Sequence, residues 1–326
     1  MKAVQFAQFG VPHEIVRVVD VPEPGAPKAG EVAVELLCSP INPADLLLLA
    51  GNYGHRPALP AVGGLEGVGR VTALGAGVSH LQVGDRVLLP GGNWAERLVV
   101  RAGGMFPLPA DAPSEQLAML TVNPPTAWGL LHDYVELKAG DWVIQNVGNS
   151  GVGTSVVVLA RGLGVKTVCV VRREAAVAPL LALGADVVLV DGPDLAKRVR
   201  EAVAGGKLVL GIDAIGGEAT ARIGAALDDH GTVVNYGLMS GQNPQLTGWD
   251  VVFRGVRLAG FWLVHWFGRH PPGEIARVYG RLAGLLADGS LAVKIAARYP
   301  LSDVREALLH AAREGRDGKI LLVNAI

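Results

Sequence analysis

From Asp141 onward the chain alternates short apolar runs with helical stretches, and a glycine-rich turn separates the first run from the first helix. WVIQNV (142–147) reads as a buried strand, and GVGTSVVVLARGLG (151–164) reads as a helix ending in glycine. Further strands are expected at 165–171, 186–190, 208–213 and 232–237, with helices near 174–183, 194–204 and 218–228 between them. Strands alternating with helices of about ten residues build a parallel, doubly wound sheet. VRLAGFW (256–262) is a candidate sixth strand.

The turn after the first strand is Asn146-Val147-Gly148-Asn149-Ser150-Gly151-Val152-Gly153. Glycine here lets the backbone approach a pyrophosphate and lets the helix pack on the sheet. Free N–H groups at the helix start then face the negative charge. A glycine cluster alone is weak evidence. This one follows a strand and opens a helix inside a βαβ unit, the context a dinucleotide site needs. The tip of the second strand selects the dinucleotide. An NAD site places Asp or Glu about 20 residues after the glycines, on the ribose 2′-hydroxyl. Here Arg172 and Arg173 stand 19 and 20 residues after Gly153. Guanidinium groups match a 2′-phosphate, so NADPH is the expected cofactor. The bland alternative is a pair of solvated arginines at a strand end.

The chain has 326 residues, enough for two domains of about 150 residues each. Its first 110 residues look β-rich. EVAVELLC (31–38) alternates, and 68–74, 84–89 and 94–100 are short β-type runs punctuated by Gly and Pro. Many short strands with such turns point to a compact barrel or sandwich. A helix is expected over 114–133. After the alternating region come a helix near 273–288, a strand at 292–301, a helix near 303–313 and a closing strand at 319–323. The domains are therefore expected at 1–121 with 270–326, and at 122–269.

Composition excludes several classes. With 29 basic and 30 acidic residues the formal net charge is −1, unlike a basic nucleic-acid binder. Half the residues are hydrophobic, unlike a disordered acidic chain. Two cysteines, Cys38 and Cys169, cannot build a disulfide framework or a four-cysteine zinc site. The longest uncharged run, 142–160, carries too many polar residues to span a membrane. The amino terminus has no apolar signal core, so a cytoplasmic protein is expected.

A β-domain followed by a dinucleotide domain is also the order of zinc alcohol dehydrogenases, which need Cys and His ligands. The corresponding region reads Ser39-Pro40-Ile41-Asn42-Pro43-Ala44-Asp45, and the expected His-Glu pair reads Leu65-Glu66. His55, His132 and His265 are isolated in sequence. No metal is expected.

SPINPAD (39–45), GNYG (51–54), LPAVGGLEGVG (59–69), VNPPTAW (122–128), VIQNVGNSGVG (143–153), VVRR (170–173), YGLM (236–239) and GFWL (260–263) give the chain its family likeness. It resembles the zinc-independent medium-chain dehydrogenase/reductase superfamily from end to end, and most of all the mitochondrial-type trans-2-enoyl thioester reductases. The resemblance implies an α/β fold, with a GroES-like β-barrel catalytic domain and a Rossmann doubly wound parallel-sheet cofactor domain. It implies a proton-donating role for Tyr53. Cofactor contacts are implied for Asn123, for Asn149, Ser150, Gly151, Val152 and Gly153, and for Arg172 with Arg173. They are implied also for Tyr236, Gly237, Leu238 and Met239, for Phe261, Trp262 and Leu263, and for Lys319. Asn42, Tyr53 and Trp262 are the expected substrate contacts. A homodimer is implied as well. The run Leu46-Leu47-Leu48-Leu49 departs from the family's more polar segment and is expected to alter the acyl pocket.

An α,β-unsaturated thioester is electron-poor at Cβ. Hydride delivered there leaves an enolate that needs dipoles aimed at its oxygen and a proton at Cα. An ordinary phenol, with a pKa of about 10, is protonated at neutral pH and can act as the acid. The bland reading of Tyr53 is a loop residue packed on Pro57 or Pro60. Trp262 and Trp266 could line the acyl pocket, or belong to the core or a dimer seam. Five arginines and one acid, Glu274, lie between Arg254 and Arg281. They could dock CoA phosphates or an acidic carrier protein, or form a solvated face. The competing functions are a quinone oxidoreductase of the same superfamily and a catalytically silent NADPH-binding protein.

Overall fold

The computed structural model describes residues 1–324. The chain packs as two units, Met1–Val122 with the segment from Tyr279 onward, and Asn123–Val278. The second crossover thus falls inside the helix Pro272–Ala287, later than the 269/270 boundary expected from sequence.

The first unit begins with β1 (Lys2–Phe6), β2 (Val16–Asp20), β3 (Glu31–Pro40), β4 (Ala61–Val62), β5 (Gly67–Leu74), β6 (Arg86–Leu89) and β7 (Arg97–Arg101). β1 pairs with β2 and β4 in a small antiparallel sheet. β3 organises the larger sheet, pairing with β5 and with β7. Its alternation sends Val32, Val34 and Leu36 into the core at 0% exposure, as a period of two requires. The expected helix over 114–133 is instead two pieces, Ser114–Leu117 and Asn123–His132. Pro124 and Pro125 explain the break, because proline fits a first helical turn but not an interior.

The second unit holds β8 (Trp142–Asn146), β9 (Lys166–Val171), β10 (Val187–Val190), β11 (Leu208–Asp213), β12 (Thr232–Asn235) and β13 (Arg257–Gly260). All pair in parallel, in the order β10-β9-β8-β11-β12-β13. Numbered from one, that is 3-2-1-4-5-6, the doubly wound order whose switch point lies between β8 and β11. Ligands of such sheets bind beyond the carboxyl ends of the strands at that point. β8 and β11 are buried along their whole length, and each opens on an apolar run, WVI and LVL. The sixth strand ends at Gly260, and Trp262 instead caps the short helix Leu263–Arg269.

The first unit resumes with β14 (Ile295–Pro300), the helix Val304–Ala312 and β15 (Lys319–Val323). β15 pairs antiparallel with Cys38–Pro40 of β3 and parallel with β14. The larger sheet therefore joins two segments of the first unit that are separated in sequence by the whole of the second. Leu46, Leu48 and Leu49 from the leucine run on helix Pro43–Leu49 pack into this core.

Candidate active site

In the second unit the cofactor turn is built by close approach. A side-chain carbon on Gly148 would lie 2.8 Å from the Cys169 Cβ, and one on Gly153 would lie 2.5 Å from the Gly148 carbonyl oxygen. These glycines let the helix Gly151–Gly162 start directly against the turn. Ser150 caps it, accepting the Gly153 N–H at 3.0 Å. Gly151 faces the Asn123 amide, at 3.1 Å from where its own Cβ would stand. Asn123 is 7% exposed, and its Nδ2 has no hydrogen-bond partner among the described residues. A buried unpaired donor beside a helix start is what an incoming phosphate or carboxamide oxygen satisfies. The residues present fit a dinucleotide.

Asp213, at the end of β11, ties the switch point together. Its carboxylate accepts from Asn146 Nδ2 at 2.5 Å, Thr220 Oγ1 at 2.6 Å, Asn235 Nδ2 at 2.8 Å, and the Ile215 and Gly216 N–H groups. Asn146 precedes the cofactor turn, and its own Oδ1 accepts the Ala214 N–H at 2.8 Å. Asn235 precedes the Tyr236–Met239 loop and also donates to the Gly237 carbonyl at 3.0 Å. One carboxylate thus holds three strand ends. The Tyr236 phenol is pushed up by burial, against the pull of its hydrogen bond with the Ser150 side chain. Gly237 leaves no room for a Cβ beside the Ala214 carbonyl, at 2.7 Å. Leu238 and Met239 stand out at 47% and 53% exposure.

Arg172 and Arg173 are exposed just past β9. Val187–Val190 ends beside them at Asp191, which is taken by a two-pronged ion pair with Arg222 at 2.6 and 2.8 Å. Phe261 is buried, and with Trp266 it packs where Gly129 lacks a side chain. Tyr134 donates to the Gly260 carbonyl at 2.7 Å, holding the start of the 261–263 segment. A small cavity there is lined by Tyr134, Phe261, Trp262, His265 and Arg269. Two of the five arginines between Arg254 and Arg281 already have partners. Arg254 is committed to Asp250 at 2.6 Å and Asp229 at 3.1 Å, and Arg281 is not free either.

In the first unit the polar site grows from Asn42, the residue preceding helix Pro43–Leu49. Its Nδ2 donates to Glu66 Oε1 at 2.6 Å, and its Oδ1 accepts from the Lys319 ammonium. Asp45 accepts the Asn42 N–H at 2.8 Å, while its Oδ1 has no partner among the described residues. Glu66 Oε2 accepts the Val122 N–H at 2.9 Å. All four side chains are buried, Glu66 at 0% exposure and Lys319 at 6%. Burial pushes Glu66 and Asp45 each up to about 7 and Lys319 down to about 8, with the opposite charges pulling back. The Gly63-Gly64 pair before Glu66 makes room for the Trp94 indole, which a Cβ on either would meet within 2.5 Å. Trp94 in turn donates to Ser39 Oγ, and Ser39 donates to the Glu66 carbonyl at 2.6 Å. Sequence reasoning singled out Asn42 and Lys319 and missed Asp45 and Glu66 as their partners.

Tyr53 is half-buried, and it packs against the barrel core. Its loop is pinned at Gly51, whose φ is +75° and whose Cβ would meet the Phe9 ring at 3.0 Å. Arg56 clamps the same turn, donating to the Gly51 carbonyl at 2.8 Å. Among the described residues no group of three or more His, Cys, Asp or Glu is placed to hold a metal ion.

A β-sheet unit built around a central ten-residue strand and a 3-2-1-4-5-6 unit with this cofactor turn define a medium-chain dehydrogenase/reductase. Family models agree, with an alcohol dehydrogenase GroES-like domain at residues 28–110 and a zinc-binding dehydrogenase model at 151–278. The mitochondrial enoyl-[acyl-carrier-protein] reductase of Dictyostelium discoideum is 34% identical, covering 98% of this chain and 94% of its own length. The enzyme of that name from Rattus norvegicus is 35% identical, covering 94% and 84%. Among solved structures, an NADPH:quinone reductase from Bacillus thuringiensis has a TM-score of 0.91 at 31% identity, covering 99% of each chain. The Etr1p complex with NADP and crotonyl-CoA has a TM-score of 0.88 at 25% identity, also covering 99% of each. A mitochondrial 2-enoyl thioester reductase Etr1p/Etr2p heterodimer from Candida tropicalis has a TM-score of 0.87 at 27% identity and the same coverage. The chain belongs to the enoyl thioester reductase family of this superfamily and is an oxidoreductase acting on enoyl thioesters. The expectation of a cytoplasmic protein is corrected by these relatives, which are mitochondrial enzymes by name. That expectation rested on the composition of the amino terminus, which is a weak guide to compartment.

Proposed function

We propose that the protein reduces trans-2-enoyl thioesters of CoA or acyl carrier protein with NADPH, and that Tyr53 protonates Cα. The observation that carries this reading is the unpaired Asn123 amide beside a glycine cradle and a free helix start, in a chain whose relatives are enoyl reductases. Bound NADPH would supply a hydride for Cβ. Asn149, Ser150, Gly151, Val152 and Gly153 hold the pyrophosphate, and Arg172 with Arg173 meets the 2′-phosphate. Asn123, Tyr236, Gly237, Leu238, Met239, Phe261, Trp262, Leu263 and Lys319 complete the cofactor contacts. Asn42 has given one N–H to Glu66 and one lone pair to Lys319. An amide has two of each, so Asn42 keeps one of each for the thioester. Trp262 borders the acyl chain.

The test is NADPH oxidation by the purified protein with trans-2-hexenoyl-CoA beside a quinone at equal concentration. Faster enoyl reduction is expected, and Tyr53→Phe should cut turnover with NADPH binding unchanged. Full turnover in Tyr53→Phe removes the proton-donor role. The Bacillus thuringiensis neighbour favours quinone reduction as the second reading. A faster quinone rate would select it.

A homodimer is proposed across β13. That strand is an edge of its sheet, and Leu258 on it is 41% exposed. Nearby in sequence, Trp249, Val252 and Phe253 are exposed at 65%, 71% and 70%. An open edge with apolar side chains is a template for pairing. Light scattering should give a dimer mass, and Leu258→Arg should give a monomer. A monomeric wild type would refute it.

A further inference from the structure

Glu66 binds the side-chain amide of a predicted substrate contact, Asn42, and through that amide reaches a predicted cofactor contact, Lys319. Its own orientation is fixed from three sides. The Val122 N–H binds one oxygen, the Asn42 amide binds the other, and Ser39 holds its backbone carbonyl. Both carboxylate oxygens accept from N–H donors, which suits the ionised form. Asn42 therefore cannot flip its amide without placing its oxygen against Glu66. The unflipped amide presents its Oδ1 to Lys319. A lysine ammonium carries three donors, so one is spent on Asn42 and two remain. The groups facing Lys319 are Asp45 from helix Pro43–Leu49, Glu66 from the loop before β5, and Arg316 from the turn before β15. Those facing Glu66 are Lys319, Asp45 and Tyr279.

We propose that Glu66 is a positioning residue for the cofactor, acting through the Asn42 amide to aim the Lys319 ammonium and keep it charged. The proposal rests on the reading of Lys319 as a cofactor contact. Without Glu66 the amide loses its orienting acceptor, and the buried ammonium loses its main counter-charge.

NADPH fluorescence titration of wild type, Glu66→Gln, Lys319→Met and the double variant tests it. Charge-assisted hydrogen bonds set the scale, so Glu66→Gln should weaken NADPH about tenfold or more. Lys319→Met should weaken it at least as much. Because both act through one ammonium, the double variant should be no weaker than Lys319→Met alone. Wild-type affinity should fall as pH rises through about 8, where Lys319 loses its proton. In Glu66→Gln that fall should come at lower pH, a shift that simple loss of packing does not produce. If Glu66→Gln does not fold, Asn42→Ser breaks the same relay, leaves Glu66 charged and keeps a residue suited to a helix start. It should weaken NADPH and be non-additive with Lys319→Met. Additive losses, or an unmoved pH profile, overturn the proposal while leaving the cofactor reading of Lys319 intact. Wild-type affinity in Lys319→Met overturns that reading, and the proposal with it.

Discussion

Asp213→Ala removes an acceptor on which five donors converge, those of Asn146, Ile215, Gly216, Thr220 and Asn235. Asp213 is 0% exposed, so the freed donors do not simply turn to bulk water. Each buried donor left unsatisfied costs about 1–3 kcal/mol before relaxation. Local collapse and entering water recover part of that, so a net loss of about 3–5 kcal/mol is expected, the upper range for a substitution that breaks a buried hydrogen-bond network. A domain of this size loses about 2–4 °C of melting temperature per kcal/mol. The second unit should therefore melt roughly 6–20 °C lower. The damage should also reach binding, because Asn146 leads into the cofactor turn and Asn235 into the Tyr236–Met239 loop. Saturating NADPH at about 100 times Kd raises stability by about 2.7 kcal/mol in an intact site. In the variant that increment should shrink or vanish. Calorimetry with and without NADPH measures both. A melting temperature within about 2 °C of wild type, with the full NADPH increment, would refute the argument that this carboxylate holds the switch point.

Gly153→Ala forces a Cβ to 2.5 Å from the Gly148 carbonyl; NADPH affinity should drop more than about tenfold, and an unchanged fluorescence titration would contradict the cradle. Arg172→Ala should narrow the preference for NADPH over NADH by about one to two orders of magnitude, since the proposed guanidinium–phosphate contact would be lost; the ratio of kcat/KM values for the two cofactors checks it. Burial raises the Asp45 carboxyl to about 7, so between pH 4 and 7 the folded state keeps a proton that the unfolded chain gives up. Stability from this group then falls as pH rises through that window. Asp45→Asn lacks the effect, so its urea midpoint should gain on wild type from pH 5 to pH 8, whereas parallel curves would show that Asp45 is not held this way.

The doubly wound sheet is legible because strands covered on both faces leave apolar runs, such as Trp142–Ile144 in β8 and Leu208–Leu210 in β11. The glycine turn is legible because backbone crowding admits no other residue at Gly153. Asp213 is not, since an aspartate at the end of an apolar run looks like any solvated strand end. Glu66 is hidden for a related reason. GGLEG reads as a turn, and nothing local says that its glycines seat Trp94 or that its carboxylate meets Asn42 and Lys319. Such partners come from distant strands, and periodicity carries no long-range pairing. The sixth strand is legible in VRLAGFW, but its end is not: it stops at Gly260, and Phe261 packs around Gly129.

The strand that carries Lys319 is synthesised after the whole of the second unit, and it pairs with Cys38–Pro40 of β3. The unit Asn123–Val278 is continuous, so during translation it can finish folding while the barrel still lacks an edge. Until β15 docks, Asp45 and Glu66 have no ammonium to face and remain hydrated. Desolvation of this cluster is therefore coupled to the arrival of a single strand. Ribosome-stalled chains ending near residue 290 should show a protease-resistant second unit and an open first one. Chains released at full length should lose that difference.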